Sequence, residues 1–266
     1  MKRVLVCIIL GFLVLLPLYA FAQTAKIVDL KGEVLVKRQA NAEWQKAALN
    51  SLLGKDAEVM TKAGSECTLA FDEELKRILT LKENSHIKIE NVSPGAVFLP
   101  EGRVFTLIQG LARQEKFQVR TPTAIAAARG TGWSDEYQNN NTLVSCFEDI
   151  VYVEGLDSSG NSTGGRDLSE GFGIDVGEGG TFGEQRALGD SDYREWNGFS
   201  NNVDTLSGGN AGEEGGGDTG NIEGDLRNEQ REDLREGSDE QRRQEEERAP
   251  DEKMEPNSSP GDITPK

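Results

Sequence analysis

The sequence predicts an all-β protein: a single domain of short strands and hairpins, arranged as a sandwich or a solenoid-like roll. Three observations predict it. Apolar and polar residues alternate over short stretches, Gly, Asn and Asp recur between these stretches, and no stretch sustains a helical period. We expect the domain to occupy residues 23–200, after a cleaved signal peptide at 1–22 and before a disordered acidic tail at 201–266.

The N-terminal segment has the three parts of a secretory signal peptide. Lys2 and Arg3 precede an apolar run from Val4 to Leu16, and Ala20-Phe21-Ala22 supplies the small residues of a cleavage site. Cleavage after Ala22 would leave a periplasmic or secreted chain with no stable membrane span. The alternative is an uncleaved membrane anchor, because the run is near the lower length limit for spanning a bilayer.

The predicted strands follow one another with turn residues between them. The clearest turn is Glu83-Asn84-Ser85, which separates alternating segments at 78–81 and 86–89. Residues 45–53 are expected to be helical or irregular. The other predicted strand segments are 27–36 (with a turn at Lys31-Gly32), 59–61, 67–71, 98–99, 104–108, 117–119, 143–147, 150–153 and 174–176.

Two cysteines, Cys67 and Cys146, remain after cleavage. Each shares the parity of its apolar strand neighbours, so both thiols are predicted to point into the core. In an oxidising compartment they can form a disulfide, and closing so long a loop stabilises by about 4 kcal/mol in the chain-entropy model. Two separate buried thiols are the alternative, since free Cys behaves as a small hydrophobe.

The chain is acidic, and its charge is concentrated at the C-terminal end. The net charge is −17, and residues 201–266 carry 19 acidic against 8 basic side chains, with no aromatic residue after Phe199. Such a segment cannot bury enough apolar surface to offset its ordering entropy, so we expect a disordered spacer or a partner-binding acidic segment. Nucleic acid is not an expected partner, because phosphate binding needs clustered Lys and Arg.

One motif lies in the middle of the chain. It reads Phe117-x-Val119-x-Thr121-Pro122-x-Ala124, followed by Arg129-Gly130-Thr131. On both sides of this motif, short strands alternate with glycine turns. Together these features resemble the FecR domain family, over about residues 25–180. Supporting segments come in the family order: Gly32-x-Val34-x-Val36, Trp44, Ser65-x-Cys67-x-Leu69-x-Phe71 and Leu168-x-x-Gly171. After Thr131, the residues Gly132-Trp133-Ser134 are more polar than the family pattern.

The resemblance implies a periplasmic domain. The best-known members join it to a membrane helix and a cytoplasmic anti-sigma segment. Here only Met1–Arg3 would be cytoplasmic if the signal peptide were retained. We therefore expect a stand-alone domain that recognises a partner or has a structural role, and that does not itself transmit a signal across the membrane.

The motif residues have two interpretations. Thr121-Pro122 marks a strand end, because proline restricts its predecessor to extended backbone. Gly130 suits a positive φ or a close backbone approach. Arg129 and Thr131 either present donors to a partner or an anion, or the Arg129 guanidinium ties neighbouring turns together.

Few residues are arranged for chemistry. His86 is the only histidine and lies in a strand-like alternation, so neither a histidine-based hydrolase nor a closed zinc site is expected. Asp157 to Asp167 spaces its oxygens like a calcium loop, but Leu168 stands where the bidentate Glu would be, which favours a hairpin tip. No metal or cofactor is predicted.

Aromatic residues in polar segments are the candidate partner-binding groups. Trp133, Tyr137, Tyr193 and Trp196 are expected either to be exposed anchors or to cap the core. The sequence therefore favours a non-enzymatic envelope module that binds a protein or a cell-wall glycan, as an accessory to envelope signalling. The alternatives are a secreted carboxylate-dependent glycan-acting enzyme and a purely structural envelope protein.

Overall fold

The computed structural model describes residues 23–112 and 115–208, so the predicted signal peptide and residues 209–266 of the predicted tail lie outside it. The described residues form seventeen strands and one α-helix, which confirms the all-β prediction. The elements are β1 Ala25–Lys31, β2 Val34–Lys37, β3 Gln45–Lys46, β4 Leu52–Leu53, β5 Glu58–Thr61, β6 Glu66–Ala70, β7 Arg77–Leu81, β8 His86–Asn91, β9 Ala96–Ile108, β10 Phe117–Arg120, β11 Ala124–Ala128, β12 Thr131–Gln138, β13 Asn141–Glu148, β14 Ile150–Leu156, β15 Ser162–Ser169, β16 Phe172–Gly177, β17 Thr181–Ala187 and α1 Asp190–Gly208, with one 3-10 turn at Glu178–Gly180.

The strands pair into two sheets that share β9. Sheet 1 has the order β4-β1-β6-β7-β9-β12-β13-β16-β17. Sheet 2 has the order β3-β2-β5-β8-β9-β10-β11-β14-β15, in which only β9 and β10 are parallel. β9 passes from sheet 2 to sheet 1 at Gly102, whose φ of 93° and close contact with Ser85 leave no room for a side chain.

The two sheets pack face to face around one apolar core. Period-two alternation directs one face of each strand inward, so Leu69 and Val144 of sheet 1 meet Val59 of sheet 2 in the same cluster. The Phe117 ring of sheet 2 meets Trp133 of sheet 1 edge-on, with ring centroids 6.2 Å apart. Of the two predicted arrangements, the structure is therefore the sandwich.

The single helix covers the outer face of sheet 1. Trp196, Phe199 and Val203 of α1 are buried against Phe105 and Phe147, and the rings of Phe147 and Trp196 stack at 4.8 Å. This helix was not predicted, and it extends past the predicted domain boundary at residue 200. No helix among the described residues combines the length and apolarity needed to cross a bilayer.

Candidate functional site

The outward side chains of sheet 2, which we call the open face, form the candidate functional site, and no described helix covers them. Strands β2, β5 and β8 of this sheet alternate between buried and half-exposed residues, as a sheet with one solvated face requires. Cross-strand pairing lines the outward residues into one row. In order across seven strands, the row is Lys37, Glu58, Lys88, Phe98, Arg120, Ile125 and Glu154.

One end of the open face is a four-residue cluster around Glu58. Its two carboxylate oxygens lie 2.7 Å from Lys37 Nζ and 2.9 Å from His86 Nε2. The Lys37 ammonium lies 5.3 Å from the centroid of the Trp44 ring, which meets the His86 ring edge-on at 5.7 Å. Burial raises the pKa of Glu58, but the hydrogen bonds with Lys37 and His86 outweigh burial and leave the pKa below its ordinary value. The Glu58 side chain is therefore held in place as a negatively charged carboxylate.

The centre and far end of the open face pair cations with aromatic rings. The Arg120 guanidinium lies 4.2 Å from the Phe98 ring centroid and donates to both carboxylate oxygens of Glu90. Lys116 Nζ lies 5.1 Å from the centroid of Tyr152, whose hydroxyl occupies the space above Gly165. Each pair fixes a charge beside a ring at a half-exposed position.

The open face is suited to recognition of another surface. Aromatic rings and arginine are the residue types that contribute most to protein interfaces, and here neighbouring strands fix them before any partner arrives. In the part of the chain that the structure describes, no three His, Cys, Asp or Glu side chains are placed to hold a metal ion. The arrangement thus presents contacts and supplies no metal-ligand set.

The first half of the predicted motif closes one end of the core. Phe117 and Val119 are fully buried, and Ala124 begins β11. Thr121 and Thr123 both lie 2.6 Å, oxygen to oxygen, from the buried Thr142 hydroxyl. Thr123 also donates to the Val176 carbonyl at 2.9 Å. Pro122 is exposed at the hairpin tip between β10 and β11.

The second half of the motif separates into a buried and an exposed part. Thr131 is buried and its hydroxyl donates to the Glu148 carbonyl. The Arg129 side chain is exposed and makes no hydrogen bond or ion pair with a described residue, so the guanidinium does not tie described turns together. Only its backbone carbonyl is used, as acceptor from Leu111 N–H at 3.1 Å. It lines a cavity of about 340 Å³ with Lys116 and Tyr152, at the margin of the open face.

Gly130 does not have the predicted glycine-specific role. It has no positive φ, and the nearest atom lies 3.6 Å from the place of a Cβ. The role belongs to Gly132, where a Cβ would lie 2.3 Å from the Trp196 indole. Gly132 thus allows the helix to approach sheet 1.

The expectation that the predicted aromatic anchors are exposed is wrong for both tryptophans. Trp133 points inward between the sheets and its Nε1 donates to Asp135 at 2.7 Å, while Trp196 belongs to α1 and is buried between the helix and sheet 1. Tyr137 and Tyr193 are half-buried, and Tyr137 packs against the core. The side chains therefore cap or fill the core, which was the other interpretation. The rings of the open face, Trp44, Phe98 and Tyr152, were not selected from sequence.

Both cysteines are buried, as predicted, and both are free thiols. Cys67 lies on β6 and Cys146 on β13, and β7, β9 and β12 lie between these strands in sheet 1. Four strand spacings amount to roughly 19 Å, far beyond the roughly 7 Å Cα separation that a disulfide tolerates. Burial raises the pKa of each thiol to about 12. Of the two alternatives, the structure has the separate thiols.

One buried carboxyl was not anticipated. Asp135 shares the inward parity of Trp133 and is fully buried; its Oδ2 accepts from that indole, while its Oδ1 has no partner among the described residues. Burial raises the pKa of Asp135 well above its ordinary value, and the hydrogen bond from Trp133 only partly opposes this. The group lies in the core between the sheets.

Part of the chain is similar to known proteins. Residues 57–152 match the family described as FecR protein, a shorter span than the predicted 25–180, and it contains the whole motif. Two crystal structures of a provisionally assigned anti-sigma factor from Parabacteroides distasonis are similar, at 18% and 16% identity with TM-scores of 0.42 and 0.43. Each match covers 52% of this chain and 63% of the solved chain. No curated protein matches.

Proposed function

We propose, because this chain contains a FecR domain, that it is an exported, non-enzymatic binding and scaffold module of the bacterial envelope. Its partner is a protein that docks on the open face, and its place is that of an accessory to envelope signalling, with another chain as transmitter. A protein is preferred to a glycan because the open face combines both signs of charge with half-buried rings.

This proposal rests on one observation, which is that the side chains of the open face are already ordered by contacts with one another. Its charges are already paired across strands, as in Lys37–Glu58 and Arg120–Glu90, and the rings are already fixed beside cations. A partner that docks there orders few additional side chains, which lowers the entropic cost of association.

The test is affinity capture from an envelope fraction with the mature chain, residues 23–266, as bait. Phe98→Ala, Tyr152→Ala and Lys88→Glu alter the open face, whereas Lys76→Glu and Arg194→Glu reverse exposed charges elsewhere. We expect proteins that bind the wild-type chain to be lost with the first set and retained with the second. Equal retention by all five variants, or equal loss, would remove the open face as the docking surface.

The other two parts of the proposal have separate tests. Export after cleavage predicts that the protein recovered from the periplasm or medium begins at Gln23, by intact mass. The non-enzymatic part is overturned if the purified chain turns over envelope glycans or peptides and loses this turnover when carboxylates are substituted. Capture by purified cell-wall glycan that survives protease treatment would replace the protein partner by a glycan.

A further inference from the structure

The outer face of sheet 1 is an apolar trough that α1 only partly fills. Its floor, which we call the helix trough, consists of Ala70, Ile78, Phe105, Leu107 and Phe147. Beyond the C-terminal end of α1 the trough continues into a cavity of about 820 Å³. Apolar side chains line part of this cavity: Val28, Ala70, Phe71, Leu75, Val92 and Leu206.

The anchoring pattern of α1 is simple. Trp196, Phe199 and Val203 follow one another at spacings of three and four, which places them on one face of the helix. A polar contact adds to this on each side: Arg103 donates to Glu195 at 2.5 Å, and Asn202 donates to Asp29 at 3.1 Å.

Away from the trough, α1 has little reason to be helical. Asn197, Gly198, Asn201, Asn202 and Thr205 are all weak helix formers. Most helical stability in proteins comes from the packing of one face. Here the buried side chains of α1 are Trp196, Phe199 and Val203, and the half-buried Tyr193 ring meets Phe147 at 5.8 Å. We therefore expect undocking of α1 to be coupled to its unfolding.

The fit between α1 and the trough is also incomplete. Trp196 Nε1 and Arg103 Nε are buried at this contact without a hydrogen-bond partner among the described residues. The described residues leave Val28 and Leu75 only partly buried where they line this cavity beside Leu206. A longer helix with the same anchor spacing would cover more apolar surface than α1 covers.

We infer that the helix trough is a second docking surface, for an amphipathic helix of a partner protein, and that α1 is its tethered, exchangeable occupant. The partner helix has an aromatic or large aliphatic anchor at positions i, i+3 and i+7 and an acidic residue before the first anchor, to meet Arg103. It extends past the end of α1 into the cavity. This surface is distinct from the open face and does not depend on the function proposed for it.

Tethering sets the condition for exchange. An attached segment competes at an effective concentration in the mM range, so a peptide no better than α1 cannot displace it at μM concentrations. An extended partner helix gains contacts in the cavity and can displace it.

The experiment uses the mature chain, residues 23–266, and labelled peptides followed by fluorescence anisotropy. The receptor is the variant with Trp196→Ala, Phe199→Ala and Val203→Ala, which frees the trough. The first peptide is the sequence of residues 188–208, the second is the same peptide lengthened by about two helical turns with two leucines on the anchor face, and the control peptide is the first with Trp196→Ala.

We expect the first peptide to bind the triple variant and to bind the wild-type chain at least about 100-fold more weakly. The lengthened peptide should bind the variant at least about tenfold more tightly than the first, and the control peptide should not bind. Absence of binding by a variant that keeps its β circular dichroism and a cooperative melt would overturn the inference.

Hydrogen exchange in the wild-type chain gives a second measurement that does not depend on the variant folding. If α1 is exchangeable, its amides exchange at least about 100-fold faster than those of β9, through local opening. Equal protection of α1 and β9 would show that the helix is an integral part of the domain, and would equally overturn the inference.

Discussion

The two outer faces of the sandwich differ although one strand contributes to both. β9 places Phe98 on the open face of sheet 2, half-exposed and beside Arg120, and Phe105 on the outer face of sheet 1, fully buried under α1. Neither the strand nor the residue type therefore determines the role of a phenylalanine here. The layer above it does.

The polar residues of the two faces differ in size. Near the middle of the sheet 1 outer face they are small: Thr68 and Thr80 share a hydrogen bond at 2.9 Å, and Ser134 and Ser145 are buried. On the open face they are long and charged, and their stems remain half-exposed. Short side chains let a helix approach the sheet closely, whereas long charged ones keep a face solvated until a partner of matching charge arrives.

The largest expected effect compares two substitutions on one strand. Phe105→Ala removes a ring that stacks on Phe199 at 5.5 Å and contacts Phe147 and Trp196, so it should cost about 3–4 kcal/mol of unfolding free energy. Phe98→Ala should cost about 1 kcal/mol or less, because the open face has solvent above it. Urea denaturation of both variants measures the difference. Equal losses of unfolding free energy would mean that the open face is as buried as the outer face of sheet 1, which α1 covers and which we call the sealed face.

The next effect contrasts a carboxyl between the layers with one on the open face. The folded pKa of Asp135 lies above the unfolded value, so its stabilising contribution is complete below about pH 3.9 and is lost as pH rises towards the folded pKa. Over that window the unfolding free energy of the wild-type chain should fall relative to Asp135→Asn by about 1.4 kcal/mol per pH unit. Glu58 has a lowered pKa, so its contribution is instead lost as pH falls.

Urea denaturation of the wild-type chain, Asp135→Asn and Glu58→Gln between about pH 2.5 and about pH 8 measures both slopes, because the Glu58 slope lies below its unfolded pKa of about 4.3. The unfolding free energy of the wild type should fall relative to Asp135→Asn as pH rises, and relative to Glu58→Gln as pH falls. A difference between wild type and Asp135→Asn that does not change with pH would mean that the Asp135 carboxyl titrates alike in the folded and unfolded states.

A smaller effect is expected from a substitution where α1 approaches sheet 1. Gly132→Ala places a methyl group 2.3 Å from the Trp196 indole and should cost about 1–3 kcal/mol, because the helix or the ring must shift. Gly130→Ala, two residues earlier, meets nothing closer than 3.6 Å and is the matched control. Melting temperature and near-ultraviolet circular dichroism of the tryptophans report both. Equal melts for the two variants would show that α1 does not need the Gly132 position.

The strands could be predicted from sequence because alternation is a local signal. The turn at Glu83-Asn84-Ser85 separates β7 from β8 as expected, and the inward parity of Cys67 and Cys146 is confirmed. The same alternation directs Phe98 outward between the buried Val97 and Leu99, but the predicted binding aromatics lie in polar segments and do not include it.

The helix and the tryptophans could not be predicted in the same way. α1 shows only three strong anchors among Asn, Gly and Ser, and it is helical because sheet 1 offers a trough, which is a tertiary effect. Trp133 lies in a polar segment but points inward, because the neighbouring Ser134 takes the outward position beside Phe105. Separation of the cysteines depends on strand order, which alternation does not encode.

The smallest expected effect concerns the ion pairs of the open face. Side chains of Arg120 and Glu90 keep 38% and 33% of their exposure, so solvent screens their attraction and a double-mutant cycle with Arg120→Gln and Glu90→Gln should give a coupling of about 0.5 kcal/mol. The coupling should shrink further at about 1 M salt, where screening is short-ranged. A coupling of several kcal/mol that salt does not change would mean that this face is desolvated by something above it. The contrast between a sealed and an open face would then fail, because both would already be covered.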